Sequence, residues 1–141
     1  MIRKATPEEF GVLGNIWLKA SIKAHHFVPR EFWEGNLAAM CDEYLPASET
    51  WVVENEGEVA GFMSLMGETV AALFVMTDKQ GRGLGSSLLK HAKEAHESLN
   101  LCVYKENDLS VLFYKKNGFK VVEEGKDDFT GRPEFVMHWQ R

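Results

Sequence analysis

A chain of 141 residues, 45% hydrophobic and 26% charged, has the composition of a globular protein, which excludes disordered and fibrous classes. A chain of this length predicts one domain over residues 1–141. Its longest apolar runs are far below the roughly 20 residues of a membrane-spanning helix, so we expect no membrane partner. The formal charge of −5 argues against a nucleic-acid partner and is compatible with a cationic substrate such as an amine. The N-terminal segment lacks the apolar core of a signal peptide, and two cysteines provide neither a disulfide framework nor metal-site spacing. These features predict a cytoplasmic protein without a bound metal.

The first part of the chain predicts a short strand followed by two helices. Residues 2–5 have strand composition, and Thr6 with Glu9 three positions later forms the pattern of a capping box, which predicts a helix start. A second helix is predicted from residue 30 to about 44, ended by Pro46. The apolar positions of the first helix follow helical spacing and are Phe10, Leu13, Trp17 and Ala20.

The remaining chain alternates strands with two more helices. Residues 50–54 and 59–66 predict an antiparallel hairpin around a glycine-containing turn. Because antiparallel strands come first and only the middle reads as β-α-β-α, we expect an α+β (mixed α/β) fold. The other predicted elements are a strand at 70–76, a helix with apolar positions from 84 to 99, a strand at 101–104, a helix from 107 to 116, and strands at 119–123 and 134–139.

A glycine-rich loop, Gln80-Gly81-Arg82-Gly83-Leu84-Gly85, joins the strand ending at Met76 to the third helix. The first four amides of a helix lack internal partners, and the helix dipole adds positive charge there. Glycines allow positive φ and close approach of the backbone to a ligand. The loop therefore predicts a binding site for a pyrophosphate-bearing cofactor.

Two familiar glycine motifs do not fit this loop. A P-loop requires Lys-Ser/Thr after its last glycine, whereas Gly85 is followed by Ser86-Ser87. A dinucleotide-binding fingerprint requires G-x-G-x-x-G, and the spacing here is one residue shorter, although Glu106 lies near the expected acidic position. The 35 residues that follow Glu106 are also too few for the further parallel units of a doubly wound sheet.

The run from Leu73 to Gly85 resembles the acetyl-coenzyme A signature of the GNAT superfamily of N-acetyltransferases, Gln/Arg-x-x-Gly-x-Gly/Ala at a helix start. The run Asn107…Phe113-Tyr114…Asn117-Gly118-Phe119 resembles the second feature of the same family. The resemblance covers the whole chain and is nearest to small bacterial protein-lysine or peptide acetyltransferases. It implies a mostly antiparallel, splayed sheet of about seven strands flanked by about four helices.

The resemblance also implies that acetyl-CoA is the cofactor, with CoA as product, and that the acceptor is a primary amine of a small molecule, peptide or protein. It assigns Val75 N–H to the acetyl oxygen, where such a donor is worth roughly 3–4 kcal/mol. Tyr114 is the implied general acid, since a phenol of pKa about 10 is protonated at neutral pH. The residues implied in cofactor binding are Leu73, Phe74, Val75, Gln80, Gly81, Arg82, Gly83, Leu84, Gly85, Ser86, Asn107 and Tyr114.

One departure from the family pattern affects the chemistry. Many members carry a Glu that helps to deprotonate the amine at the position occupied here by Cys102. The proton acceptor is therefore left open among Glu68, His25, His26 and a water chain. The alternative functions are a non-catalytic acetyl-CoA sensor and a transferase toxin that acts on aminoacyl-tRNA. The acceptor's identity and the choice between monomer and homodimer are also left open.

Overall fold

The computed structural model describes residues Met1–Arg141 and contains one seven-stranded sheet in the order β1-β2-β3-β4-β5-β7-β6. All neighbouring strands are antiparallel except β4 and β5, which are parallel. The mixed α+β prediction with about seven strands is confirmed. The strands are β1 (Ile2–Lys4), β2 (Glu49–Asn55), β3 (Glu58–Met66), β4 (Thr69–Val75), β5 (Ser98–Tyr104), β6 (Lys120–Lys126) and β7 (Pro133–Gln140).

Five helical segments flank the sheet, one more than expected. The segment α3 is continuous over residues 37–47, but it combines α-helical ends with a π-helical turn at Met40–Tyr44. The remaining segments are α1 (Phe10–Ala24), α2 (Arg30–Gly35), α4 (Leu84–Glu94) and α5 (Asp108–Lys116), with 3₁₀ turns at Pro7–Glu9 and Thr77–Lys79.

The predicted helix over 30–44 is wrong in its bounds because Asn36 interrupts it. The Asn36 side chain donates to the Phe32 carbonyl at 2.7 Å, so an amide side chain ends the helix that residue 30 begins. Pro46 does not terminate the second segment. It lies near the end of that segment, two residues after the π-helical turn at Met40–Tyr44, and the helix continues through Ala47.

The helical spacing of apolar residues from 84 to 99 also predicts a third helix that is longer than the observed one. α4 ends at Glu94, and Leu99 is a fully buried residue of β5. An apolar residue that points into the core satisfies helical and strand periodicity equally well over a short run. The predicted ends of the later helix are accurate, because Asn107 caps α5 through its side chain and Gly118 follows it at φ 90°.

The core is divided by the sheet, and successive strand residues point to opposite sides. Val52 and Phe62 pack with Leu13 under α1 and α3, whereas their neighbours Val53 and Met63 pack under α4 and α5. Each face of the sheet is therefore covered by its own helical layer. Both helical layers reach β4, and the candidate site lies at its carboxyl end.

Gly61 of β3 lies where a side chain has no room. A Cβ at this position would meet the Phe74 carbonyl oxygen at 2.7 Å and the Val75 Cα at 3.2 Å. Both are backbone atoms of β4, so they move only if the strand moves. This glycine fixes the close approach of β3 to the functional end of β4.

We expect Gly61→Ala to lower the free energy of unfolding by about 1–3 kcal/mol, because it overpacks a buried strand pair. Gly125→Ala is the matched control, since Gly125 also lies in a strand but has no atom within 4 Å of an added Cβ. Urea denaturation followed by tryptophan fluorescence measures both. Equal midpoints for the two variants would contradict this account of Gly61.

Candidate active site

The sheet opens between β4 and β5. Their register consists of Thr69 opposite Asn100, and the Asn100 amide donates to the Glu68 carbonyl at 2.9 Å beside it. Beyond this point the two parallel strands diverge toward Val75 and Tyr104. The main-chain groups that would pair in an ordinary sheet are therefore left facing a gap.

The alternation of antiparallel hydrogen bonds identifies those groups. Met76 N–H donates to the Ala60 carbonyl at 2.7 Å and therefore points toward β3. Because successive amides of a strand point to opposite sides, the amides of Val75 and Leu73 point away from β3 and into the gap. The Gln80 side-chain amide donates to the Val75 carbonyl at 3.3 Å, which agrees with this orientation. On the other side of the gap, Lys105 N–H donates to the Pro133 carbonyl and therefore points toward β7. By the same alternation, the main-chain groups of Cys102 and Tyr104 face the gap.

Two cavities meet at this gap. One, of about 690 Å³, lies between the glycine loop, the start of α5 and the end of α1. The other, of about 480 Å³, lies between α1, α2, the gap itself and the segment that leads into β7. The residues that line both cavities are Ala20, Ala24, Leu73, Val75, Gln80, Asn107, Ser110 and Tyr114.

The three glycines of the loop serve two different purposes. Gly81 and Gly83 have φ 82° and 78°, a region that favours glycine, and Gly83 is the N-cap of α4. Gly85 is needed for packing, since a Cβ there would lie 3.0 Å from Cζ of Phe113. The resulting helix start presents unpaired amides beside the larger cavity, a favourable position for an anion.

Arg82 has a different position from its neighbours in the loop. Its guanidinium contacts the turn between β2 and β3, at 3.2 Å from Asn55 Oδ1 and 3.4 Å from Glu56 Oε1. Lys79 binds the same Glu56 at 3.0 Å. Arg82 therefore lines neither cavity, and its side chain anchors the loop to the hairpin. Phe74 lines the smaller cavity, while Gln80, Gly81, Gly83, Leu84, Gly85 and Ser86 line the larger one.

Tyr114 lies at the junction of the two cavities. Its ring packs edge-on against Phe113 and Phe119, with ring centroids 5.2 and 5.8 Å apart. Burial raises the pKa of its hydroxyl above the usual range, so the group is protonated at neutral pH. Its hydroxyl has no hydrogen-bond partner within the protein and is available to a ligand.

Asn107 lines both cavities. Its Oδ1 accepts from Ser110 N–H at 3.2 Å, and its Nδ2 lies 3.1 Å from Nε2 of the buried His25. Nε2 accepts this hydrogen bond, which leaves the ring proton on Nδ1. Burial lowers the pKa of His25 to about 4, so the ring is neutral. His25 is therefore a positioning partner of Asn107, which the sequence did not reveal.

Two other candidates for the proton acceptor lie away from the gap. Glu68 is exposed at the opposite end of β4 and accepts from the Ser98 hydroxyl at 2.9 Å. The exposed His26 lines only the larger cavity. Cys102 lines the smaller cavity, and burial, followed by the charge of Glu134, raises the pKa of its thiol. A protonated thiol is a poor nucleophile, so Cys102 is not a nucleophile of this site.

Sequence reasoning missed two acidic residues of the smaller cavity. Asp127 and Glu134 both line it, and Tyr104 donates to Asp127 Oδ2 at 2.8 Å. Their signal in the sequence was the acidic segment before the last strand, but no spacing rule links that segment to β5.

No group of three or more His, Cys, Asp or Glu residues is arranged to hold a metal ion. No helix is both long and apolar enough to cross a bilayer.

Comparison with known proteins assigns the family. The model of the acetyltransferase (GNAT) domain matches residues 46–121. The chain is 33% identical over 140 residues to the peptidyl-lysine N-acetyltransferase YiaC of Escherichia coli K12, covering 99% of this chain and 96% of that one. The chain belongs to the GNAT acetyltransferases. It is also 35% identical to the peptidyl-lysine N-acetyltransferase YjaB of Salmonella typhimurium, over 94% of this chain and 91% of that one.

Solved structures agree with this assignment. Apo YjaB of Escherichia coli matches the GNAT chain described here with a TM-score of 0.88 at 32% identity, over 99% of this chain and 96% of that one. The PaiA N-acetyltransferase of Thermoplasma acidophilum, solved with coenzyme A, matches with a TM-score of 0.83 at 18% identity, over 100% and 98%, and shares the fold. The predicted family, N-acetyltransferase class and acetyl-CoA cosubstrate are confirmed.

We expect His25 to make stability depend on pH. Its folded pKa of about 4 lies below the ordinary histidine pKa of 6.5, so the unfolded chain binds the extra proton first as pH falls. The stabilisation is complete above pH 6.5 and declines toward pH 4, by up to about 3 kcal/mol. Denaturation of wild type and His25→Gln at several pH values measures this difference.

The matched control is His26→Gln, because His26 is the adjacent residue and is exposed. This variant should retain the full pH dependence of the wild type. If His25→Gln also retains it, the ring is not held neutral by the fold.

Proposed function

We propose that this GNAT acetyltransferase transfers the acetyl group of acetyl-CoA to lysine side chains of peptides or proteins, by direct attack in a ternary complex. The observation that carries the proposal is the junction of the two cavities at Leu73, Val75 and Tyr114. One cavity has the anion-binding helix start that a pyrophosphate needs, and the other is a separate entrance for the acceptor. Similarity to YiaC and YjaB, both named peptidyl-lysine acetyltransferases, supports lysine as the acceptor.

The cofactor arrangement follows from the larger cavity. The amides of Gly83, Leu84, Gly85 and Ser86 bind the pyrophosphate, and Lys23 lines the same cavity as a cation without an ion pair. The free main-chain groups of Leu73 and Val75 hydrogen-bond the extended arm as an added strand would. Phe74 contributes main chain to this edge, Asn107 approaches the arm from the other side, and Arg82 acts by anchoring the loop.

The chemistry then uses two donors at the junction. Val75 N–H donates to the thioester oxygen, whose negative charge grows as the amine attacks. Tyr114 donates its proton to the leaving sulfur and regains one as the amide nitrogen loses its own. Because the Tyr114 pKa is raised by burial, its hydroxyl favours the protonated state between turnovers.

The smaller cavity suits a lysine side chain. Trp17, Phe32, Trp33 and Tyr104 are among its lining residues and offer apolar surface for a four-carbon stem. Further parts of the proposal are a cytoplasmic location, a single domain over residues 1–141, monomeric or homodimeric assembly, and no nucleic-acid or membrane partner. The net charge of −5 supports the exclusion of nucleic acid.

A transfer assay tests the function directly. Purified protein is incubated with acetyl-CoA and a panel of lysine peptides and small amines, and released thiol is measured while mass spectrometry locates the acetyl group. We expect stabilisation against heat by CoA and acetylation of a lysine Nζ. Thermal stabilisation without thiol release on the whole panel would favour a non-catalytic acetyl-CoA sensor instead.

We expect Tyr114→Phe to lower kcat by about 100-fold at pH 7, because the sulfur then leaves without a proton donor. Thermal stabilisation by acetyl-CoA should stay unchanged, since the ring and its packing are retained. Tyr44→Phe is the control, because it also removes a phenol hydroxyl from the lining of the smaller cavity. Tyr44 is exposed and does not line the larger cavity. Equal kcat for wild type and Tyr114→Phe would remove Tyr114 from the mechanism.

A further inference from the structure

The smaller cavity is acidic and contains no cation. Among the residues that line it, Asp127 and Glu134 are carboxylates, and none is Lys or Arg. The nearby basic residues are already paired elsewhere. Lys105 binds Glu124 at 3.1 Å, and Arg132 forms a two-pronged ion pair with Glu106. A cationic acceptor that enters this cavity therefore meets only negative charge.

The two carboxylates differ in their availability. Asp127 is occupied, because its Oδ2 accepts hydrogen bonds from the Tyr104 hydroxyl at 2.8 Å and from the Thr130 hydroxyl at 2.8 Å. Glu134 is partly buried at the start of β7, yet its carboxylate accepts no hydrogen bond and forms no ion pair within the protein. A half-buried carboxylate without a partner is costly unless a ligand supplies one.

The register of the sheet directs Glu134 to the gap. Tyr104 of β5 is directly opposite Glu134, and Cys102 is directly opposite Val136, so Cys102 and Glu134 are diagonal neighbours on one face. Such neighbours are about 7–8 Å apart at the backbone, within reach of a glutamate side chain. Among the charged groups that act on the Cys102 thiol, Glu134 has the largest effect.

We propose that Glu134 is the proton acceptor for the substrate amine, in a site that carries Cys102 where a carboxylate is common in the family. This inference rests on the proposed function. The lysine ammonium enters as the missing partner of Glu134 and transfers one proton to its carboxylate, which passes it to the solvent of the open cavity. The neutral nitrogen then attacks the thioester carbon, the C–N bond forms and the C–S bond breaks. Tyr114 protonates the sulfur and recovers a proton from the nitrogen, so one proton is released for each turnover.

The surroundings of Glu134 favour this role. Burial, followed by the charges of Asp127 and Asp128, raises the pKa of the Glu134 carboxyl. A carboxylate with a raised pKa is a stronger base at neutral pH. The other titratable groups around the cavity are Cys102, Tyr104, Tyr44, Tyr114 and the neutral His25, with Glu123 on the same sheet face, so no neighbouring cation lowers that pKa.

Glu134→Gln tests the assignment, because it keeps the shape of the side chain and removes the base. With a lysine peptide as acceptor, we expect kcat to fall about 100-fold while KM for acetyl-CoA stays unchanged. In wild type, kcat should rise with pH as Glu134 loses its proton and again as the substrate amine does. In the variant, only the rise caused by the amine should remain. Thermal stabilisation by CoA verifies that the variant is folded and binds the cofactor.

Glu94→Gln is the matched control. It removes the same charge, but Glu94 is exposed at the end of α4, forms no side-chain ion pair and lines neither cavity. It should behave as wild type. If wild type transfers acetyl and Glu134→Gln keeps its kcat and pH profile, the assignment is wrong while the proposed function stands. A rise in KM for the acceptor with unchanged kcat would show that Glu134 only binds the acceptor, and this result would also overturn the assignment of Glu134 as proton acceptor. Absence of transfer by wild type would overturn the proposed function itself.

Discussion

The parallel contact between β4 and β5 is the constraint on which the site depends. The two strands are joined at Thr69 and Asn100 and then diverge, so the main-chain groups of Leu73 and Tyr104, which this register would place opposite each other, do not pair. In a continuous sheet these groups would be consumed by the ladder. Their separation leaves a row of donors and acceptors with fixed direction, and the rest of the sheet holds that row rigid.

Rigidity on the β4 side comes from close backbone packing. Gly61 allows β3 to approach Phe74 and Val75 more closely than any side chain would permit. On the β5 side, seven paired positions with β7 hold Tyr104 and its neighbours. Preorganised donors of this kind stabilise developing charge without reorganisation cost at the moment of reaction. The gap is thus a feature of two well-supported half-sheets, not a loosely packed region.

Charge divides the site into two parts. The larger cavity is lined by Lys23, Lys79, Glu106 and Asp108, so its side-chain charges balance, and the unpaired amides of the helix start are the feature that suits an anionic donor. The acceptor side contains Asp127 and Glu134 and no basic residue, which suits a cationic acceptor. Between them, the buried neutral His25 links Asn107 to the aromatic side chains without adding charge. In the proposed function, this separation lets an anionic and a cationic substrate bind within one small domain and meet at Val75 and Tyr114.

The sequence alone determined the features that depend on local backbone chemistry. The glycine loop, the Asn107 cap and the Gly118 helix end are set by residues a few positions apart, so the loop predicted a pyrophosphate site, and the resemblance of these runs to the GNAT signature implied the family. Local periodicity failed at Asn36, whose side chain bonds the Phe32 carbonyl four residues earlier, and at Leu99, which the tertiary core buries. Only the tertiary structure decided the acceptor side, because its residues come from α1, α2, β5 and the segment before β7. Glu134 lies 32 positions from Cys102 in the chain, and only antiparallel pairing makes the two diagonal neighbours.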